Sequence, residues 1–261
     1  MKQLATLALV IACSSAGATD LAQANVVDLS HPYNDKTLYW PTSPSTFALK
    51  RLSFGVNDRG WFYSANALCT PEHGGTHLDA PIHFWANGQT VEQLPLDQLI
   101  GPAVVIDVTT QAQADRQYRL TENDVLAFEK THGQIPAGAI VLLRTGWSQY
   151  WPDAKKYLGD DTRGIASRLS FPSFGEAAAK LLVTERKVAV LGVDTASIDN
   201  GASLDFEVHQ IAAQHNVAGL ENLTNLDQLP TTGSHIIALP MKVEGGSGAP
   251  ARVIALVPGS E

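Results

Sequence analysis

Hydrophobic positions along this chain fall into short continuous runs separated by stretches with helical spacing. The runs at 103–108, 139–144 and 188–193 are apolar and β-branched, and each is short enough to be a buried strand. Asp194 closes the third. Between the first two, 121–129 carries Thr121 as a capping residue, an acidic first turn and apolar residues at helical intervals. A second amphipathic helix is expected over 174–183 and a third over 207–215, with further strands at 26–30, 234–239 and 252–257. The Pro-rich stretch 32–44 shows neither period and is expected to be irregular, in the manner of a flap. Strands alternating with helices through the middle imply an α/β fold. No repeat, low-complexity tract or composition break divides the chain, so a single domain over 25–259 is expected.

The amino-terminal pattern is different. Lys2 precedes an apolar run over 4–12 that is too short to span a bilayer, and Ala16 and Ala18 offer a cleavage site. This reads as a signal peptide over 1–18. The alternative is a lipoprotein signal over 1–12, in which Val10-Ile11-Ala12-Cys13 is the processing box and acylated Cys13 provides the one route to a membrane. Either way the protein is expected to be periplasmic or secreted. Removal or acylation of Cys13 leaves Cys69 as the free cysteine, so no disulfide framework supports the fold and the core must do so. A net charge of −8 argues against nucleic acid or an anionic membrane surface as the partner.

The chemistry concentrates in Glu72-His73-Gly74-Gly75-Thr76-His77-Leu78-Asp79-Ala80-Pro81-Ile82-His83-Phe84, which holds three of the chain's eight histidines. His73 and His77 have the i, i+4 spacing of a helical metal site, but Gly74, Gly75 and Pro81 disfavour a helix. In an extended segment His77 and Asp79 point to one face, and the two glycines allow the backbone to bring His73 beside them. Two imidazoles and a carboxylate converging in this way suit zinc, manganese or a similar divalent ion. Pro81 redirects the chain so that His83 sits near the ion without needing to bind it. His215, His132 and His235 lack paired ligand spacing and are read as structural, and His31 is placed at the flap. Asp194 and Ser197, at a strand end, are as consistent with turn capping as with a site. Trp40, Tyr63, Phe84 and Trp85 offer walls for a pocket or members of the core.

The stretch from His73 to Phe84 resembles the His-x-Gly-Thr-His-x-Asp-x-Pro-x-His signature of the cyclase-like metal hydrolases, which include bacterial kynurenine formamidase and isatin hydrolase. Asp28-Leu29-Ser30, Trp40-Pro41, Leu143-Arg144-Thr145-Gly146-Trp147, Gly192-Val193-Asp194-Thr195-Ala196-Ser197 and the run from Gly246 to Arg252 are similar to other landmarks of that family, in the same order. The resemblance implies a swivelling β/β/α fold and usually a homodimer. It implies that His73, His77 and Asp79 bind metal, that His83 is the catalytic acid/base, and that His209 and Glu221 hold a second ion. Glu221 favours a two-ion, formamidase-type centre over the single-ion centre of isatin hydrolase.

The activity implied is hydrolysis of a carbon–nitrogen amide bond by metal-activated water, as in an arylformamidase, on a small aryl amide. A cyclic amidase of the isatin hydrolase type, or a lactonase, is the alternative within the same chemistry. An exported metal- or ligand-binding protein is the alternative outside it, and the retained His83 argues against that.

Overall fold

The computed structural model describes residues 24–259. The expected domain, 25–259, falls within them, whereas the expected leader (1–18, or 1–12 with Cys13) lies outside the described residues. Among those residues no helix is long and apolar enough to cross a membrane.

The chain runs through β1 (Asn25–Asp28), a hairpin of β2 (Ala48–Val56) and β3 (Phe62–Cys69), and β4 (His77–Asp79). Helix α1 (Leu96–Leu99), β5 (Ile100–Asp107), α2 (Thr109–Ala114), β6 (Arg119–Leu120) and α3 (Glu122–His132) follow. Next come β7 (Ile140–Arg144), α4 (Ala154–Leu158), β8 (Ser173–Phe174), α5 (Glu176–Lys180) and β9 (Val190–Val193). Helix α6 (Glu207–Gln214), β10 (Ala218–Glu221), β11 (Thr232–Pro240) and β12 (Gly248–Val257) complete the domain.

The main sheet has the order β1-β12-β11-β5-β7-β9-β10-β4, and β12 pairs again with β4, so every strand of this sheet but β1 belongs to a closed ring, and β2–β3 and β6–β8 form separate two-stranded ribbons. The pairs β5–β7, β7–β9 and β9–β10 are parallel; the rest of the ring is antiparallel. The period of two in the apolar runs builds two cores. Ala103, Val105, Ile140, Leu142, Val190, Leu220, Ile236 and Val253 point into the ring and pack on one another. Val104, Ile106, Val141, Leu143, Leu191 and Val193 face outward and are covered by residues of α3, α5 and α6 such as Val125, Ala178 and Val208.

The expected helix at 121–129 forms as α3 and is capped as its sequence suggests, with Thr121 accepting the amide N–H of Asp124 and the Asp124 carboxylate accepting that of Thr121. The helix expected over 174–183 starts later. Phe174 belongs to β8, and the Gly175 amide donates to the Leu120 carbonyl, so α5 opens at Glu176 and continues as a π-helical turn over Leu181–Glu185. Residues 32–44 form no regular element, as expected.

Candidate metal centre

Leu78 points into the ring and is fully buried, which sends its neighbours His77 and Asp79 to the outer face together. On one side β4 pairs with β10 in a register that sets His77 opposite Glu221 and Asp79 opposite Gly219. On the other it pairs with β12, with Asp79 opposite Gly248. A Cβ on Gly248 would meet His73 Cε1 at 2.6 Å, so this glycine makes room for His73 to lie against the strand. Gly75 permits the preceding bend. Its φ is +58°, and a Cβ there would press on the Tyr33 ring at 2.7 Å. The Tyr33 hydroxyl lies 2.6 Å and 2.8 Å from the carbonyl oxygens of Gly74 and Thr76, which fixes the turn from outside.

His209 arrives from α6. That helix is preceded by Phe206, which has φ +53° and supplies no side-chain cap. Asp199, distant in sequence, does the capping: it accepts the amide N–H groups of Val208 and His209 at 3.0 Å each and His209 Nδ1–H at 2.6 Å. The other ring nitrogen is thereby aimed at the cluster. His209 Nε2 lies 3.1 Å from Asp79 Oδ2 and 3.2 Å from Glu221 Oε1. His77 is oriented in the same way, with Nδ1 2.9 Å from the Gly75 carbonyl and Nε2 3.1 Å from Asp79 Oδ1 and 3.5 Å from Glu221 Oε2. His73 places Nδ1 2.6 Å from Asp79 Oδ1 and Nε2 2.8 Å from Ser247 Oγ, whose hydroxyl donates to Glu72 at 2.5 Å. All five residues expected to hold metal are therefore brought together around Asp79.

The sets His77–Asp79–Glu221 and His73–Asp79–His83 each converge closely enough to hold an ion, and they share Asp79. His77, Asp79, His209 and Glu221 are all buried. Burial alone would lower the pKa of His77, but Asp79 and Glu221 override it and push it up to about 9. Burial is likewise overridden at His209, which Asp199, Asp79 and Glu221 hold well above the usual value. Against its own burial, Asp79 is held well below the usual carboxylate range by the imidazoles. This cluster fits a divalent cation: it demands positive charge at its centre, offers imidazole and carboxylate donors, and anchors the second nitrogen of each of the three imidazoles that face Asp79.

His83 stands at the edge of this cluster, at the end of a 3₁₀ turn over Pro81–His83. Its ring stacks on His73 with centroids 3.7 Å apart. The residue opens to the pocket by surface area, yet its ring is crowded enough that burial pushes its pKa down to about 4. The pocket above has a volume of about 230 Å³. Phe84, Phe206, Trp40 and Leu158 form its apolar wall, with Trp40 coming from the flap. Phe206 bridges that wall, its ring 5.2 Å from Phe84 and 5.8 Å from Trp40. Tyr63 and Trp85, offered by the sequence as further pocket walls, do not line the cavity: Tyr63 is exposed on the hairpin and Trp85 points to solvent.

The remaining candidates have structural partners. Asp194 accepts from the Thr145 amide and hydroxyl and from the Gly146 amide, tying the ends of β7 and β9; burial, against these hydrogen bonds, pushes its pKa up to about 6. His31 stacks on Trp151 at 4.2 Å. His215 Nδ1 lies 2.9 Å from the Ile211 carbonyl, and His132 packs on Phe128. Asp199 and Ser247 escaped attention in the sequence. Ser247 sits in a stretch resembling the family, which was a usable signal, whereas a lone Asp199 ahead of a loop offers none.

The profile of the cyclase family matches residues 27–200. The isatin hydrolase of Roseibium aggregatum is 35% identical over 204 residues, covering 76% of this chain and 77% of the relative. The kynurenine formamidase of Salinibacter ruber is 28% identical over 232 residues, covering 88% of this chain and 96% of the relative. The solved structure of isatin hydrolase A from Labrenzia aggregata, bound to benzyl benzoate, superposes with a TM-score of 0.83 at 31% identity, covering 91% of this chain and 95% of that one. With its single α/β domain and its similarity to these hydrolases, the chain belongs to the cyclase family.

Proposed function

We propose that the protein is a metal-dependent amidohydrolase acting on a small aryl amide. The observation that carries this reading is the placement of His83: it stacks on His73 at the rim of a buried His/Asp/Glu cluster and faces an apolar pocket with aromatic walls. His73, His77, Asp79, His209 and Glu221 are the residues that would hold the metal, and zinc or manganese, as two ions per chain, suits that donor set. A divalent cation supplies a Lewis acid for the amide carbonyl and makes water acidic enough to ionise near neutral pH.

The protein residues do the rest. Phe84, Phe206 and Trp40 bind the aryl ring and exclude water from one side of the amide. A ring nitrogen of His83 takes the proton of the water that adds to the carbonyl carbon and delivers it to the leaving nitrogen as the carbon–nitrogen bond breaks. The products are a carboxylate and an amine. Asp199 and the Gly75 carbonyl keep His209 and His77 in the orientation the site needs.

Two forms of aryl amide fit this chemistry. The higher identity to an isatin hydrolase, 35% against 28% for a kynurenine formamidase, favours a cyclic amide of the isatin type. Glu221, buried within the cluster, favours a linear arylformamide through the two-ion centre. Assays of purified protein with isatin, arylformamides and lactones, with and without EDTA, separate the two and test the class. Turnover of an aryl amide that EDTA abolishes and added metal restores is expected; turnover of lactones alone, or of none of these, overturns the reading. His83→Ala is expected to keep metal content and lose turnover, and His77→Ala to lose both. Wild-type turnover in His83→Ala would remove His83 from the mechanism.

The leader-like segment over 1–18 supports a periplasmic or secreted location for this activity. The mass of the mature protein tests it directly.

A further inference from the structure

A second cavity, of about 190 Å³, lies against the pocket above the metal cluster, and the two share Leu38, Tyr39, Trp40 and Leu158 as lining. The backbone of the wall between them is fixed. The Leu38 carbonyl accepts the Gly75 amide N–H at 2.9 Å and the Pro41 carbonyl accepts that of Gly164 at 2.8 Å, so the flap is pinned on both sides of Trp40. The side chains of Leu38, Trp40 and Leu158, by contrast, meet through apolar contacts in the cluster built around Trp147 and Phe171. Trp40 is half-buried, its ring centroid 5.8 Å from that of Phe206 and 6.4 Å from that of Phe171. A partition of this kind can open by a change of rotamer, with no movement of the backbone.

The chemistry of the outer cavity suits an apolar group. Ala154 and Leu158, four residues apart on α4, both face it, and Asp153 caps that helix by accepting the Lys156 amide N–H at 3.1 Å. The small side chain of Ala154 leaves space that a larger residue would fill. Polar atoms of the lining are already committed. The Tyr39 hydroxyl pairs with that of Thr70 at 2.6 Å, and Thr37 Oγ1 accepts the Asn34 amide N–H at 2.8 Å. The Asp160 carboxylate accepts the Thr162 amide N–H at 2.7 Å and faces Arg168 at 3.4 Å. What remains for a ligand is the hydrocarbon of Leu38, Trp40, Pro41, Ala154 and Leu158, with Asp161 and Arg163 exposed at the rim.

Volume decides which occupant fits. A dry cavity of about 150 Å³ takes up a benzene molecule. The lobe beside the metal cluster, at about 230 Å³, is therefore filled by one ring and its amide, and the outer lobe, at about 190 Å³, has room for one further ring or an alkyl chain of similar bulk. Each lobe alone falls below the roughly 300–1,000 Å³ usual for a small-molecule pocket, whereas the two joined enter that range.

We propose that the outer cavity is a second substrate lobe, and that the substrates are aryl amides bearing a second apolar group, a ring or short alkyl chain, which passes Trp40 and is received between α4 and the flap. This rests on the amidohydrolase reading for the lobe beside the metal cluster and adds to it the shape of the substrate. Trp40 is then the residue that sets substrate length: an end wall for a short amide and a flank for a long one.

Formanilide, its 3-benzyl and 4-benzyl derivatives, and the corresponding anilines test the proposal on metal-loaded protein. In the wild type, kcat/KM for the better benzylformanilide is expected to exceed that for formanilide by about 10- to 100-fold, the range that burial of one phenyl group supplies. In calorimetry the matching benzylaniline is expected to bind more tightly than aniline by a similar factor. Ala154→Trp fills the outer lobe and is expected to bring both ratios to about one; Thr46→Trp, at the exposed edge of the same lobe, makes the same test should Ala154→Trp fail to fold. Ratios near one in the wild type, or ratios that survive filling of the lobe, overturn the proposal. Calorimetry separates it from the reading on which it rests: if no formanilide is turned over, yet the preference for a benzylaniline is present and disappears when the lobe is filled, the lobe stands and the hydrolysis of aryl formamides falls.

Discussion

Asp199 carries two loads with one carboxylate, and removing that charge separates them. Oδ2 accepts both the His209 amide N–H and His209 Nδ1–H, while Oδ1 accepts the Val208 amide N–H. In Asp199→Asn one of those positions becomes an amide nitrogen facing a donor. If it faces Val208, α6 loses part of its remote cap, at a cost of about 1 kcal/mol. If it faces His209, the imidazole loses its anchor, a buried N–H is unsatisfied at about 1–3 kcal/mol, and the ring gains a reason to carry its proton on the nitrogen that faces Asp79 and Glu221. The second arrangement works against cation binding directly, and the loss of such an outer partner typically weakens a metal site about 10- to 100-fold. Chelator competition with zinc or manganese on the purified variant measures this, and thermal unfolding of the metal-free protein measures the structural part. At about 2–4 °C per kcal/mol for a domain of this size, the melting temperature is expected to fall by several degrees. Wild-type metal affinity in Asp199→Ala, which leaves neither oxygen in either arrangement, would refute the reasoning, because it would mean that His209 needs no anchor or holds no metal.

Two other perturbations address the turn and the buried acid. Gly75→Ala combines an unfavourable φ of +58° with a Cβ 2.7 Å from the Tyr33 ring, so a loss of about 2–3 kcal/mol is expected in urea unfolding, together with reduced metal content as His77 shifts. An unchanged unfolding midpoint would show that the turn relaxes freely. Asp194, with a folded pKa of about 6 against an ordinary 3.8, keeps in the folded state a proton that the unfolded chain has already released. Its contribution to stability is therefore fully present below pH 4 and is lost as pH rises to about 6, by up to about 3 kcal/mol. Asp194→Asn is expected to flatten that part of the pH–stability curve; an unchanged slope between pH 4 and 6 would place the titration elsewhere.

The parts of the fold that were legible in the sequence are those whose neighbours lie close along the chain. The runs of Val, Ile and Leu at β5, β7 and β9 are buried on both faces, so they read as continuous apolar segments, and Thr121 announces α3 through its own capping chemistry. The hairpin was missed because its polarity mixes Lys50, Arg51 and Ser53 with Leu and Phe, and a bulge between Arg51 and Ser53 breaks the alternation. Strand β10 was missed because Ala218-Gly219-Leu220-Glu221 is too short to show a period. At the site, His73, His77 and Asp79 were legible from spacing alone, since glycines, alternation and proline leave few ways to arrange them. His209 and Glu221 emerged only from resemblance, because their convergence depends on the register of β10 against β4 and on the docking of α6. Asp199 acts across a loop and emerged from neither.

The closure of the ring has a consequence for how the protein matures. Strand β4 is only three residues long, and both of its neighbours, β10 and β12, are made far later in the chain. A strand that short gains too little from either pairing to form early, so the ring shuts last, after the slow long-range contacts are in place. Any cation that needs both His77 and Glu221 can be captured only by a finished barrel. Such a cation would join the first and last thirds of the sequence and make the closing step harder to reverse. If the site holds metal as proposed, metal content reports complete folding, and a chain cut before Gly248 is expected to lack it.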